Sequence, residues 1–298
     1  VVGYALVFCC RRHPNTNYLH LMNMVCDNLQ LYFQQERFTS RSSSEIYEPV
    51  LTGILEHPDI PEKQLEAQLG YIPDLNLKGR FVLARISYTD TVQLPFSFVS
   101  WNLRTSLPQL KPFVYNNTLY VLRDNMDRRD FTGFLAENEK KIFADVFREH
   151  FVTCGISLTF FSLTDLPTAV SQCREALRIG RILSPDPRPI YKFEDAAIYY
   201  FLLEMKKAMP LKMIASPYYE LLKQYDKEHN SDLCETFFQF LLNGRNVNQT
   251  SAAIYMHRNT VLNKIKKASA IMNNDFNDYQ TQLYFIISYL TDHSPVLN

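Results

Sequence analysis

The chain has 298 residues and carries 31 Lys+Arg against 31 Asp+Glu, so any attraction for a polyanion must be local rather than global. Its length allows one large or two to three ordinary domains, and 46% hydrophobic residues suffice for real cores. No apolar run is long enough to span a membrane, so no membrane partner is expected.

Residues 1–10 (VVGYALVFCC) read as a strand, closed by Arg11, Arg12 and His13 too early for a transmembrane helix and with flanks wrong for a signal peptide. The first residue is Val, and the N-terminus reads as cut from a longer protein. Residues 17–38 read as a long helix, with Leu21, Met24, Val25, Leu31 and Tyr32 in one stripe. That stripe suits a dimer seam or packing within the chain equally well. The polar run TSRSSS at 39–44 reads as a hinge. Helices are expected over 45–57 and 62–69, separated by Pro58 and Pro61.

Next comes a stretch rich in strands. Residues 81–88 (FVLARISY) predict a strand, and 97–110 a helix. Strands at 113–115 and 118–123 flank Asn116-Asn117, a hairpin turn. A helix over 129–150, a strand over 152–160, a helix over 166–183 and a short strand over 189–193 follow. This order suits an antiparallel sheet with helices on one face.

No constellation of catalytic groups stands out. The chain has only eight glycines and no Gly-rich phosphate loop or Gly-x-Ser-x-Gly elbow. Six cysteines, at 9, 10, 26, 154, 173 and 234, show no metal spacing and fit reduced thiols in a cytoplasm. The seven histidines include no His-x-x-x-His pair, so neither zinc nor another cofactor is expected. His150 and Cys154 are near in sequence, but a cysteine on a strand is ordinarily core.

The C-terminal part reads as all helix. A helix over 198–209 breaks at Pro210, and Ser216-Pro217 starts another over 218–228, with Ser as cap. A helix over 232–243 ends at Asn243-Gly244, and an apolar helix over 280–290 closes the bundle. Between them, residues 246–273 read as two helices joined by a tight turn. Val261, Ile265, Ala268 and Met272 form the buried stripe of the second. Asn259 and Thr260 suit its cap, and Ser251, Ala252 and Ala253 let the first helix cross closely. From Thr236 to Asn274 there is no Asp or Glu, while Arg245, Arg258, Lys264, Lys266 and Lys267 are all basic. An ordinary solvated face would explain the charge alone; the turn, small residues and cap together favour a nucleic-acid footprint.

The run HRNTV at 257–261, between a short helix and a basic amphipathic one, resembles the C-terminal DNA-binding module of PucR/CdaR-type bacterial transcription regulators, itself similar to the Fis-type helix-turn-helix. Residues 218–226 (YYELLKQYD) and 236–241 (TFFQFL) match the approach helices of that family. The resemblance covers about the last quarter of the chain. It departs at Asn263, Lys264 and Ile265, where the family favours Tyr-Arg-Leu, and at Ser251, where it favours Ala.

The resemblance implies that His257, Arg258, Thr260, Asn263 and Lys264 face double-stranded DNA, with Arg258 and Asn263 at base edges. Lys264, Lys266 and Lys267, and the first helix at Gln249 and Thr250, are expected at phosphates. The preceding sheet region resembles the GGDEF-like palm domain of CdaR-type regulators. Active cyclases of that fold hold magnesium with carboxylates, whereas Arg85 and Ser87 stand on the first strand and YNNTLYV in the hairpin. Asp90 is a lone acid, and Asp124 and Asp127 come too late. The domain is therefore read as catalytically dead.

The expected architecture is α+β: an antiparallel or mixed, palm-like sheet domain followed by an all-α helix-turn-helix domain. Residues 1–38 would be the remnant of a GAF- or PAS-like sensor, 39–75 a helical connector, 76–200 the degenerate GGDEF-like domain, 201–233 connector helices and 234–298 the DNA-binding domain. The function implied is a homodimeric, cytoplasmic transcription regulator whose small-molecule effector binds an upstream domain. A cyclase-related enzyme and a non-catalytic signalling scaffold are the alternatives.

Overall fold

The computed structural model describes residues 44–72, 75–88, 96–124, 139, 141, 143, 145, 152–184 and 188–297. The expected strand at 1–10, the helix at 17–38, nearly all of the 39–44 hinge, and Asp90 and Asp127 lie outside the described residues. So does most of the expected 129–150 helix, of which Glu139, Lys141, Phe143 and Asp145 are helical.

The chain divides into two compact units, one ending at Arg174 and regaining Arg188–Phe193, the other made of Glu175–Pro187 and Glu194–Asn298. By compactness, therefore, residues 194–200 go with the C-terminal helices.

The first unit is built on a six-stranded sheet in the order β2-β3-β1-β4-β6, with β5 also paired to β1. Strand β1 (Lys78–Tyr88) is the hub. It runs antiparallel to β3 (Thr118–Asp124), with Arg85 opposite Tyr120 and Phe81 opposite Asp124. Asp124 thus closes β3 rather than following it. On its other side β1 pairs antiparallel with β4 (Val152–Ile156) and then β5 (Phe160–Ser162).

The expected single strand at 152–160 is therefore two strands, interrupted at 157–159. Ser157 carries the interruption: its N–H donates to Leu83 O at 2.9 Å, and its Oγ accepts from Leu83 N–H at 3.0 Å. One residue satisfies both backbone groups of Leu83, so the ladder can shift without an orphaned donor. β6 (Ile190–Lys192) lies parallel to β4.

β2 (Leu110–Tyr115) and β3 form the expected hairpin. Asn116 and Asn117 both take positive φ, 45° and 55°, as a two-residue primed turn demands. β2 is the sheet's edge, where Pro112 is tolerated.

Helices cover both faces of the sheet, not one as expected. Phe81, Leu83, Phe113, Tyr120 and Leu122 pack with Leu51 and Ile54 of α1 (Ser44–Glu56), Leu65 and Leu69 of α2 (Glu62–Leu69), and nearby apolar residues. Val82, Ala84, Ile86, Leu119 and Val121 pack with Val99 and Leu103 of α3 (Phe96–Ser106) and with Phe143. Phe81–Ala84 is accordingly buried at every residue, as a strand covered on two sides must be.

Helix α4 (Leu166–Leu183) has the expected bounds. Its Leu166, Ala169 and Cys173 join the first of these cores. α5 (Phe193–Ala208) begins earlier than expected; Glu194 and Asp195 in its first turn suit the positive end of a helix.

In the second unit, α6 (Pro217–His229), α7 (Leu233–Leu242), α8 (Val247–Ala253), α9 (Arg258–Met272) and α10 (Tyr279–His293) share an aromatic core. Phe237 meets Phe276 at 4.8 Å and Phe285 at 5.3 Å between ring centroids, both edge-on. Such pairs add about 0.5–1.5 kcal/mol each beyond their buried area.

Ser216 precedes α6 with Pro217 in the first turn, but its hydroxyl makes no cap bond. Its N–H instead donates to Ser288 Oγ of α10 at 2.8 Å, which ties the start of α6 to the last helix. α7 ends at Asn243, followed by Gly244 at φ +61°, a left-handed stop suited to glycine.

Candidate nucleic-acid interface

The start of α7 decides where one basic side chain points. Asp226 of α6 accepts from the N–H groups of Leu233 at 2.9 Å and Cys234 at 2.8 Å, and from Ser231 Oγ at 2.6 Å. α7 is thereby capped from the preceding helix, which leaves the carboxylate of its own N-cap residue, Asp232, without a cap bond. That carboxylate takes Lys264 Nζ instead, at 2.5 and 2.7 Å.

Asn246 caps α8. Its Oδ1 accepts from the N–H groups of Asn248 at 3.0 Å and Gln249 at 3.2 Å, worth about 1 kcal/mol. Thr250 N–H and its hydroxyl both donate to Asn246 O, and the side chain is buried. This corrects the expectation for this helix: the N–H groups of Asn248, Gln249 and Thr250 are spent inside the chain, and Thr250 is structural. Gln249 keeps an exposed side chain.

The turn is tight. Met256 N–H donates to Ser251 O at 3.0 Å, and Tyr255 sits at φ +53°. His257 then caps α9, its Nδ1 accepting from Asn259 N–H at 3.3 Å. Asn259 and Thr260, expected as caps, lie in the first turn instead.

All four residues of the expected stripe, Val261, Ile265, Ala268 and Met272, are buried. The opposite face and the N-terminal turn expose His257, Arg258, Asn259, Thr260, Asn263, Lys266 and Lys267. Arg258 Nε donates to Asn248 Oδ1 at 2.8 Å, so the first residue of α9 is tied to the first turn of α8. Lys267 Nζ stands 5.0 Å from the ring centre of Tyr225, within cation–π range.

Lys264 departs from the expectation. Its side chain is only 22% exposed and turned toward Asp232. Arg245 likewise bonds Asn277 Oδ1 and Asp275 O and serves the fold. Neither Asn248 nor Asp232 shows these roles in the sequence. Asp226, by contrast, closes the stretch YYELLKQYD that matches the family's approach helices. Nothing local marks a pairing between Asp232 and Lys264, which are 32 residues apart.

Two helices in contact, a closed turn and a second helix with one buried and one exposed cationic face define a helix-turn-helix, the class that lays its second helix in a major groove. Residues 233–290 match the PucR C-terminal helix-turn-helix domain. Three curated relatives from Bacillus subtilis (strain 168) are each 24% identical. They are the proline-responsive transcriptional activator PutR (44% of this chain, 32% of the relative), the DNA-binding transcriptional activator AdeR (50% and 35%) and the purine catabolism regulatory protein (51% and 28%). The chain thus spans about a third of the length of the relatives it matches. A solved structure, the regulator of polyketide synthase expression from Bifidobacterium adolescentis, is similar at 16% identity and a TM-score of 0.39, covering 85% of this chain and 95% of that one.

Proposed function

We propose that the chain is part of a transcription regulator that binds double-stranded DNA as a homodimer, under control of a small molecule taken up by an upstream domain. The observation that carries this reading is the exposed face of α9: a cationic face on a helix with no Asp or Glu of its own, backed by a buried apolar stripe, on a PucR-type module. Arg258 and Asn263 read base edges, with His257 and Thr260 beside them at the helix start. Lys266, Lys267 and the side chain of Gln249 meet phosphates; Lys264 joins them only when it leaves Asp232. Two copies are invoked because one such module reads few base pairs, and paired half-sites lie about 34–36 Å apart.

The sheet unit belongs to the same reading as a GGDEF-like domain without catalysis. Arg85 and Ser87 on β1 stand where such an enzyme would want metal-binding carboxylates.

Selection of bound sites from a random duplex library tests the proposal. Enrichment of a two-fold symmetric sequence, with affinity falling steeply as salt rises, is the expected result. Failure to enrich any sequence, or affinity indifferent to salt, would overturn it. Turnover of GTP or ATP with magnesium would overturn the reading of the sheet unit.

A further inference from the structure

Among the described residues, seven other than glycine take a positive φ, and four of them are Asn, the residue that tolerates this conformation best. The other three are Arg245, Tyr255 and Phe276. Two of these three have a visible return. Phe276 is fully buried in the helical core, and Arg245 hydrogen-bonds Asn277 and Asp275. Tyr255 has none for its side chain: the residue is 97% exposed, and its hydroxyl makes no hydrogen bond among the described residues. The left-handed backbone at Tyr255 serves the turn, since it lets Met256 N–H reach Ser251 O, but Asn or Gly would serve it at less strain, so the phenol is the feature that the turn itself does not use.

Its place suggests what the phenol meets. Tyr255 lies between α8 and α9, two residues before His257 caps the second helix. In this class the first helix crosses the sugar–phosphate backbone and the start of the second reaches base edges. The turn between them therefore stands at the groove's rim. A phenol there is a neutral donor, suited to a phosphate oxygen and blind to sequence.

We infer that Tyr255 is a DNA-backbone contact, its hydroxyl donating to a phosphate at the rim of the groove read by α9. This rests on the DNA-binding reading above and adds to it a residue outside the basic set.

The test uses the full chain, a duplex enriched by the wild type and a scrambled duplex. Tyr255→Phe keeps the ring and backbone and removes the donor. It should weaken binding to both duplexes by a similar factor, roughly 3–10-fold, with the ratio between them and the salt dependence unchanged. Tyr255→Asn suits the left-handed backbone as Asn116, Asn117, Asn230 and Asn273 do. It should raise the thermal midpoint while weakening binding. Equal affinity in wild type and both variants would overturn the inference. So would loss with Asn but not with Phe, or loss confined to one base-pair position. If the wild type enriches no duplex at all, the DNA-binding reading itself falls, a result distinct from the others.

Discussion

Arg258 Nε and Asn248 Oδ1 lie 2.8 Å apart, and that bond joins the two helices of the helix-turn-helix through their side chains. A guanidinium held by Nε keeps both terminal nitrogens free in a fixed fork, the geometry that reads guanine. If Arg258 docks as proposed, Asn248→Ala should therefore relax selectivity at the base pair assigned to Arg258, and only there. Arg258→Ala should do the same more strongly, costing about 1–3 kcal/mol of discrimination. In the double variant the Asn248 change should add almost nothing. Affinities for a panel of single base-pair changes check all three.

Lys264 sits on Asp232, which offsets its charge. Asp232→Asn should release it. DNA affinity should rise at low salt, and the dependence of log affinity on log salt should steepen by about 0.9, the signature of one more phosphate contact. The change in folding stability should stay within about 1 kcal/mol, since the pair is partly exposed. Titrations at several salt concentrations, with a urea melt, measure both.

Thr250 is buried, with its hydroxyl bonded to Asn246 O. Thr250→Val should destabilise the helical unit by about 1 kcal/mol through the lost hydrogen bond. It should leave the salt dependence of DNA binding unchanged, whereas Lys266→Ala should reduce it. Denaturant melts and duplex titrations separate the two effects.

Asp292 links α10 to α6 through Tyr219, whose hydroxyl donates at 2.7 Å, and through Lys223. Partial burial alone would raise its carboxyl, but the bonds from Lys223 and Tyr219 outweigh that and hold it below the ordinary carboxylate value. Its folded form prefers the charged state more than the unfolded chain does. Its contribution to stability is thus complete above the unfolded value of about 3.9 and is lost as pH falls through the lower folded value. The stability gap between wild type and Asp292→Asn should be constant near neutral pH and shrink below about pH 4. Urea melts across that range check the sign.

Elements with a strong period or a defining turn were legible in the sequence. Helix α4 carries an amphipathic repeat along its length, and Asn116-Asn117 admits few turns other than the one found. The stripe on α9 was legible for the same reason. Covering of the sheet on both faces was not inferred, although the unbroken apolar run Phe81–Ala84 carried the hint. What left no trace was partnership at long range. Lys264 looks like a free cation in sequence, and only the capping of α7 by Asp226 explains why Asp232 is available to hold it. Ser216 misled in the same way, since a serine before a proline looks like a cap until Ser288 takes its N–H.

The central strand of the sheet has a consequence for how its pairing is specified. In a strand wetted on one side, polarity tells the chain which way each residue must face. β1 lacks that cue between Phe81 and Ala84, because both sides are oily. Size takes over: Phe81 and Leu83 fill one layer, while the slimmer Val82 and Ala84 fill the other. A slip by one position would force a phenyl ring into the space of a valine or a methyl group, so steric volume guards the alignment that solvent guards elsewhere.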